Sequence, residues 1–108
     1  DNAKNDIALV KLKSSVDLSA NPHINTACLP NFAQSYSGQT CWVTGFGKDN
    51  FGVTGDYQSI MKKVNVPILA NADCQARLRT TRLGSNFIFD TTSFSCAGGE
   101  TGKDACTG

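Results

Sequence analysis

Zinc-ligand spacing is missing from this 108-residue sequence, which contains no C-x-x-C pair. Its single histidine, His23, has no cysteine at ligand spacing along the chain. Structural zinc sites are built from closely spaced cysteine and histidine pairs, so the sequence favours no metal site. We expect no metal ion and no cofactor.

Long apolar runs and a strong net charge are also absent. No run of apolar residues is long enough to span a bilayer, and the opening DNAKND is polar rather than a signal-peptide pattern. A formal net charge of +1 gives no electrostatic reason to expect nucleic acid or an anionic membrane as a partner. If the protein is secreted, we expect these residues to be a mature or internal segment.

Cysteine, by contrast, is informative, with five residues: Cys28, Cys41, Cys74, Cys96 and Cys106. An odd number cannot pair completely within one chain, so at least one thiol is free or has a partner elsewhere. Cysteines without metal-ligand spacing favour disulfides, and disulfides favour an oxidising compartment.

The hydrophobic pattern is mostly that of β-strands. Residues 6–12, DIALVKL, include four consecutive apolar residues, which predicts a short strand buried on both faces. Residues 39–47 and 57–69 alternate in side-chain character, which predicts two further strands, with Pro67 near the end of the second. The segment 85–100 returns to a β-like composition.

One helix is predicted, near residues 71–80, within the stretch NADCQARLRTTRLG. Asn71 or Asp73 can cap its N-terminus, and Gly84 is a plausible stop. The chain is therefore expected to be mostly β with one short helix.

These motifs, in this order, resemble the trypsin-like (chymotrypsin-fold) serine proteases. NDIALVKL resembles the strand that carries the catalytic aspartate, and CLP resembles the cysteine that ties the catalytic unit to its upstream segment. CWVTGFG resembles the opening strand of the second β-barrel, and CAGG followed by GKDACTG resembles the loop that floors the specificity pocket.

The resemblance implies an all-β, chymotrypsin-like double β-barrel of which this chain is a fragment. Residues 1–13 would be the last strand region of the N-terminal barrel, and residues 14–37 the inter-barrel connection. Residues 38–108 would be part of the C-terminal barrel.

Three site positions follow from the resemblance. Asp6 would occupy the position of the triad aspartate and be largely buried; the alternative is that it caps a turn. Asp104 would lie in the specificity pocket and pair with a substrate Arg or Lys; the alternative is a solvated loop residue. Gly108 would occupy an oxyanion-hole position.

The triad itself is incomplete here. His23 follows Asp6 and is not the triad histidine, which precedes the aspartate strand in the family. The nucleophile would lie two residues beyond Gly108. Since neither base nor nucleophile is present, this chain alone cannot run the triad mechanism.

The second half resembles a narrower group, the arthropod clip-domain serine protease homologues close to prophenoloxidase-activating factors and masquerade. The marks are GKDNFG, YQSIMKKV, CQARLRTTRLG and CAGGETGKDACTG. In that group glycine typically replaces the nucleophilic serine. The resemblance implies a secreted, non-catalytic binding cofactor of prophenoloxidase activation in hemolymph. The alternative is an active clip-domain endopeptidase that cleaves after Arg or Lys.

The resemblance also implies a disulfide pattern and partners. Cys74 is expected to pair with Cys96, whereas Cys28, Cys41 and Cys106 would pair with cysteines outside these residues, in the remainder of the protease domain. The protein partner would be prophenoloxidase or a cascade protease, with no nucleic acid and no membrane.

Two further surfaces are open to interpretation. Arg77, Arg79 and Arg82, with Lys62 and Lys63, form a basic segment that could contact a partner or simply be solvated. Residues 87–89, FIF, could be an exposed apolar contact, although we expect at least two of them to be packed.

Overall fold

A computed structural model describes residues 4–105 and divides the chain into two units, which meet between Ser35 and Tyr36. All of the helix and strand lies in the second unit, in the order β1 (Thr40–Gly45), a 3-10 turn (Gly52–Thr54), β2 (Lys62–Pro67) and α1 (Asn71–Arg79). Over the described residues, no helix is long and apolar enough to cross a membrane.

The predicted strand at 6–12 is wrong for this structure. The described part of the first unit has turns and extended segments but no strand, and Ile7, Leu9 and Val10 are 84%, 98% and 86% exposed. A strand needs a neighbour to satisfy its backbone N–H and C=O groups, and no described residue pairs with this segment. Its apolar sequence is thus suited to burial but has no partner here.

Local order in the first unit comes from a turn at Asp17. Its carboxylate accepts hydrogen bonds from the Ser19 hydroxyl at 2.6 Å and from the backbone N–H groups of Ser19 and Ala20 at 2.9 and 3.1 Å. The Ser19 hydroxyl bond, followed by the two backbone bonds, holds the pKa of the Asp17 carboxyl below its ordinary value. This is an Asx-type turn in which a short side chain substitutes for backbone pairing.

The two alternating segments form strands, as predicted, and the structure shows that they pair. β1 and β2 are antiparallel, with Cys41 opposite Val66 and Val43 opposite Val64. Directly opposite residues share a face, so these four side chains lie together, and Val66 is only 4% exposed. β2 is shorter than the predicted 57–69 and ends at Pro67, although hydrogen bonds to the segment before β1 continue one residue further, from the Ile68 N–H to the Gln39 carbonyl at 2.8 Å and from the Gly38 N–H to the Ile68 carbonyl at 2.9 Å.

The loop between the strands is ordered by its own contacts. Lys48 and Tyr57 form an antiparallel bridge, the Asp49 N–H donates to the Asp56 carbonyl at 3.2 Å, and the Asp56 N–H donates to the Asp49 carboxylate at 3.0 Å. Gly55 is buried where a Cβ would lie 2.2 Å from the Asn50 carbonyl oxygen. The close approach of two backbone segments requires glycine at this position.

The helix is confirmed, but its predicted caps are wrong. Its N-cap is Ala70, without a side-chain hydrogen bond, so Asn71 and Asp73 both lie inside the helix. Asp73 lies in the first turn, where the positive end of the helix dipole stabilises its negative charge. The helix ends before Gly84, since the hydroxyls of Thr80 and Thr81 donate to carbonyls in the last turn.

The Cys74–Cys96 disulfide is present, with a Cα–Cα distance of 6.2 Å, and Cys74 is 1% exposed. The segment after it adds a short edge to β2, because the Leu69 N–H donates to the Cys96 carbonyl at 2.8 Å and the Gly98 N–H donates to the Pro67 carbonyl at 2.9 Å. The β-like composition at 85–100 forms no strand, and its pairing is limited to single bridges, between Ile68 and Ala97 and between Glu100 and Lys103. The disulfide therefore fixes the helix to the segment that leads into the glycine-rich loop, residues 98–102 (GGETG).

Candidate functional site

A groove of about 210 Å³ lies in the second unit between the strand ends and the glycine-rich loop. β1 contributes Val43 to Gly45, and β2 contributes Lys62 to Val64. The loop between the strands adds Gly47, Lys48, Asp49 and Gln58, and the chain beyond the disulfide adds Asp104 and Ala105.

Two consecutive glycines turn the chain from the disulfide toward the groove. Gly98 and Gly99 have φ values of 96° and 89°, a region that other residues rarely adopt. Gly98 is buried and hydrogen-bonded to the end of β2, so the turn is anchored at its start. The direction of the loop that carries Asp104 is therefore decided by backbone conformation.

A second turn follows immediately. Gly102 has a φ of 78°, the Lys103 N–H donates to the Glu100 carbonyl at 3.2 Å, and the two side chains form an ion pair at 3.0 Å. Both side chains are well exposed, so the ion pair itself adds little stability. The turn places Asp104 at the groove, where its carboxylate accepts the Ala105 N–H at 2.8 Å.

Asp104 lines this groove and is exposed rather than enclosed, and its role in a specificity pocket stays a prediction. The groove has mixed charge: Lys48, Lys62 and Lys63 face two carboxylates, Asp49 and Asp104. Such a site can bind charged or polar groups. No histidine, serine or cysteine is found among the described residues that line it, so it contains no nucleophile–base pair of the triad type.

Two lysines at the groove rest on aromatic rings. The Lys63 ammonium lies 5.0 Å from the centre of the Trp42 ring, and the Lys48 ammonium lies 5.4 Å from the centre of the Tyr57 ring. Lys48 also donates to the Gly52 carbonyl at 3.3 Å. Sequence reasoning missed both cation–π contacts, although Trp42 and Lys63 become diagonal neighbours once the strand register is known.

Arg77 was considered only as part of a basic segment, and its contact with the glycine-rich loop was missed. A Cβ at Gly99 would lie 2.5 Å from a terminal nitrogen of the Arg77 guanidinium. The helix therefore packs a flat, charged group against the turn that directs the chain to the groove. No sequence signal links residues 22 positions apart in this way.

Asp6 lies in the first unit and is exposed, so its expected burial is not observed in this structure. It occupies a tight turn in which the Ile7 N–H donates to the Asn5 carbonyl at 2.8 Å, and Asn5 has a φ of 54°. The carboxylate is exposed because no described element packs over the segment that follows it. Its role as the triad aspartate stays a prediction.

The remaining residues that the sequence singles out lie in one or other unit or outside the described residues. Cys28 is exposed and Cys41 is half-buried, and both are free thiols. His23 is exposed in the first unit, and Cys106 and Gly108 lie outside the described residues. Across residues 4–105, no three His, Cys, Asp or Glu side chains form a group that could hold a metal ion.

Comparison with known proteins adds a family-level result. A protein-family model described as Trypsin matches residues 1–108. The chain is 62% identical over 107 residues to "Inactive CLIP domain-containing serine protease A3" of Aedes aegypti. The matched region covers 99% of this chain and 22% of that protein.

Two further relatives have similar descriptions. "Phenoloxidase-activating factor 2" of Galleria mellonella is 44% identical, over 95% of this chain and 33% of its own length. "Inactive CLIP domain-containing serine protease A8" of Anopheles gambiae is 40% identical, over 96% of this chain and 27% of its own length. The chain thus spans at most a third of these curated relatives.

Proposed function

Because this chain belongs to the trypsin family, we propose that it is part of a non-catalytic serine protease homologue that acts as a binding cofactor in prophenoloxidase activation. The observation that carries the proposal is the 62% identity, across nearly the whole chain, to a relative described as an inactive serine protease. A second relative is described as a phenoloxidase-activating factor, which supports a role of this protein in the activation of prophenoloxidase.

The physical basis is that a protease scaffold can lose its attacking group without losing its shape. The nucleophilic hydroxyl contributes little to core packing, whereas its removal abolishes covalent catalysis. In this chain the packing is carried by other groups, chiefly Val66 and the Cys74–Cys96 disulfide. A retained groove can then bind without turnover.

Within this proposal, three residues keep the positions that the family assigns. Asp104 is the pocket carboxylate, a role supported by its place at the groove. Asp6 takes the triad-aspartate position and becomes buried only when further chain packs on residues 6–12. Gly108 takes the oxyanion-hole position, and glycine stands two residues beyond it, where active relatives have the nucleophilic serine.

The free thiols fit the same proposal. Cys28 and Cys41 do not bond to each other, and we propose that they and Cys106 pair with cysteines in the rest of the protease domain. Such bonds form in an oxidising compartment, so we propose that the protein is secreted into hemolymph. Its partner is prophenoloxidase or a cascade protease.

The test uses the purified full-length protein in two assays. A chromogenic Arg or Lys peptide substrate should show no turnover above buffer, while adding the protein to prophenoloxidase and its activating protease should raise phenoloxidase activity. The matched control introduces serine two residues beyond Gly108, which changes the attacking group and leaves the described residues untouched.

Each outcome separates the two candidate functions. Turnover of the peptide by the unmodified protein would establish the alternative, an active trypsin-like endopeptidase in which Asp104 selects the basic side chain. Absence of turnover together with no effect on phenoloxidase activity would refute the cofactor role. Absence of turnover with enhanced phenoloxidase activity is the expected result.

A further inference from the structure

The segment from Cys74 to Phe89 carries three arginines and no acidic residue. Arg79 and Arg82 are both exposed, and neither guanidinium lies in an ion pair with any residue between 4 and 105. Two like charges on neighbouring turns repel each other, which opposes folding unless an anion relieves the repulsion. Arg79 lies in the last turn of α1, where the negative end of the helix dipole stabilises its positive charge. Arg82 lies beyond the end of the helix and gains less from the dipole.

Arg79 is held in one orientation by the chain that runs beside it. Its Nε–H donates to the Phe87 carbonyl at 2.8 Å, and one helical turn earlier the Gln75 side-chain carbonyl accepts the Phe89 N–H at 3.0 Å. These two contacts fix residues 87–89 along the side of the helix on which Gln75 and Arg79 lie. The side chain of Arg79 is therefore ordered before any partner binds.

This contact uses only one of the five N–H donors of the Arg79 guanidinium. The four donors on its terminal nitrogens have no described acceptor, and two of them can bind a carboxylate in the paired geometry typical of arginine. Since part of the side-chain entropy is already lost, less is lost on binding. A fixed arginine with its outer edge unused is suited to an acidic ligand.

The turn geometry favours a position for Arg82 on the side of the chain that carries Arg79. The turn after the helix continues with hydrogen bonds from the N–H groups of Thr80 and Thr81 to carbonyls three residues earlier. In that conformation, side chains three positions apart are aligned. Ile88, directly after the carbonyl that holds Arg79, is 76% exposed and provides an apolar contact beside the two charges.

The composition of the helix indicates that this surface faces solvent in the longer protein. No large apolar side chain of α1 is exposed, whereas the sheet and its loop expose Trp42, Phe46 and Ile60 at 61%, 57% and 75%. Covering the sheet with further chain would bury apolar area, but covering the outer side of the helix would mainly desolvate charged groups. Further chain is therefore expected on the sheet rather than on the charged side of the helix, which leaves Ile88, 76% exposed beside that side, as the apolar area for a partner to cover.

We propose that Arg79, Arg82 and Ile88 form a docking surface, the arginine surface, for an acidic segment of a partner protein. Two carboxylates of that segment bind the two guanidinium groups, and an apolar side chain between or beside them packs on Ile88. The proposal names a recognition surface for the proposed binding function and rests on that function only for the existence of a protein partner. The groove at Asp104 is separate, since no residue of the arginine surface lines it.

The test measures the fluorescence anisotropy of a fluorescein-labelled seven-residue peptide of Glu, Asp and Leu with the full-length protein. A matched peptide carries Gln and Asn in place of the acids. We expect saturable binding of the acidic peptide alone, weakening as salt screens the charges. R79A and R82A should each weaken it roughly three- to tenfold, the range expected for a charge-assisted contact at an exposed site.

Two controls separate a defined surface from general attraction to positive charge. R77A removes the same charge from the same helix, but Arg77 projects to a different side and contacts the loop at Gly99, so binding should change less than twofold. R79K keeps the charge but cannot hold Phe87 and a paired carboxylate together, so it should weaken binding nearly as much as R79A.

R82A removes no described hydrogen bond or ion pair, and R79A removes one hydrogen bond at an exposed site, so neither variant is expected to unfold the protein. Equal affinity for the acidic and amide peptides would overturn the proposal, as would an effect of R77A equal to that of R79A or R82A. Neither result would bear on peptide-substrate turnover or on phenoloxidase activity, so failure here is distinguishable from failure of the proposed cofactor function.

Discussion

Removal of the Cys74–Cys96 disulfide is the sharpest stability test that the structure offers. The bond closes a loop with a sequence separation of 22, and Cys74 is one of only two buried apolar side chains among the described residues. It joins α1 to the segment that completes the edge of β2. We predict that the double variant Cys74→Ala, Cys96→Ala loses both the cross-link and the packing of the buried sulfur.

The magnitude follows from the loop length. In the chain-entropy treatment, a cross-link that closes about 22 residues lowers the entropy of the unfolded chain by about 11 cal/mol/K, which corresponds to about 3 kcal/mol at 25 °C. Since about 1.4 kcal/mol is a factor of ten, the folding equilibrium should weaken roughly 150-fold. The small void left at Cys74 adds to this figure rather than reducing it.

Urea unfolding followed by far-UV circular dichroism measures the change in the free energy of unfolding. Amide hydrogen exchange localises it: the N–H groups of Leu69 and Gly98, which hold the Cys96 segment against β2, should lose protection first. Ser95→Ala, an exposed change beside the disulfide, should stay within about 0.5 kcal/mol. A double variant that loses less than about 1 kcal/mol, with unchanged exchange at both amides, would refute the reasoning.

Two other predictions concern the loops. Gly55→Ala should destabilise the protein by about 1–3 kcal/mol in thermal unfolding, because the new Cβ meets the Asn50 carbonyl. The control Gly45→Ala, whose new Cβ has its nearest contact at 4.0 Å, should destabilise the protein much less. Equal losses of stability in the two variants would contradict this prediction. Asp17 should titrate below an ordinary aspartate in carbon-detected NMR, and Ser19→Ala should raise its pKa. Because the pKa of Asp17 is lowered in the folded state, the stabilisation by the turn is complete above the unfolded pKa and is lost as the pH falls through the folded pKa. A titration midpoint of Asp17 at or above the ordinary pKa of aspartate would contradict the prediction.

Features that depend on neighbouring residues were predictable from the sequence. The alternation across residues 39–47 identifies β1, and the helix near 71–80 is found as Asn71–Arg79. β2 ends at Pro67, close to the position that the proline indicates, because the preference of proline for strand ends is a property of the residue itself. The start of the helix still differs from the prediction, since its N-cap is Ala70, which has no capping side chain, and not Asn71 or Asp73.

Features that depend on partners were not predictable in the same way. Residues 6–12 have the composition of a buried strand, yet they are exposed and unpaired, because a strand exists only where a second strand accepts its hydrogen bonds. Arg77 contacts Gly99, and Arg79 is held by the Phe87 carbonyl. Both contacts join the helix to segments that lie beyond it in the chain. Neither leaves a periodic signal.

The sequence by itself determined the family, the helix, the paired strands and the cysteines, because residue type and spacing encode local conformation and motif. Only the tertiary structure decided that Asp104 lies at a groove, that Asp6 is exposed in this chain, and that Arg79 is ordered with most of its donors unused. These properties arise from distances between segments, and such distances are set by packing and hydrogen bonding rather than by the order of residues along the chain.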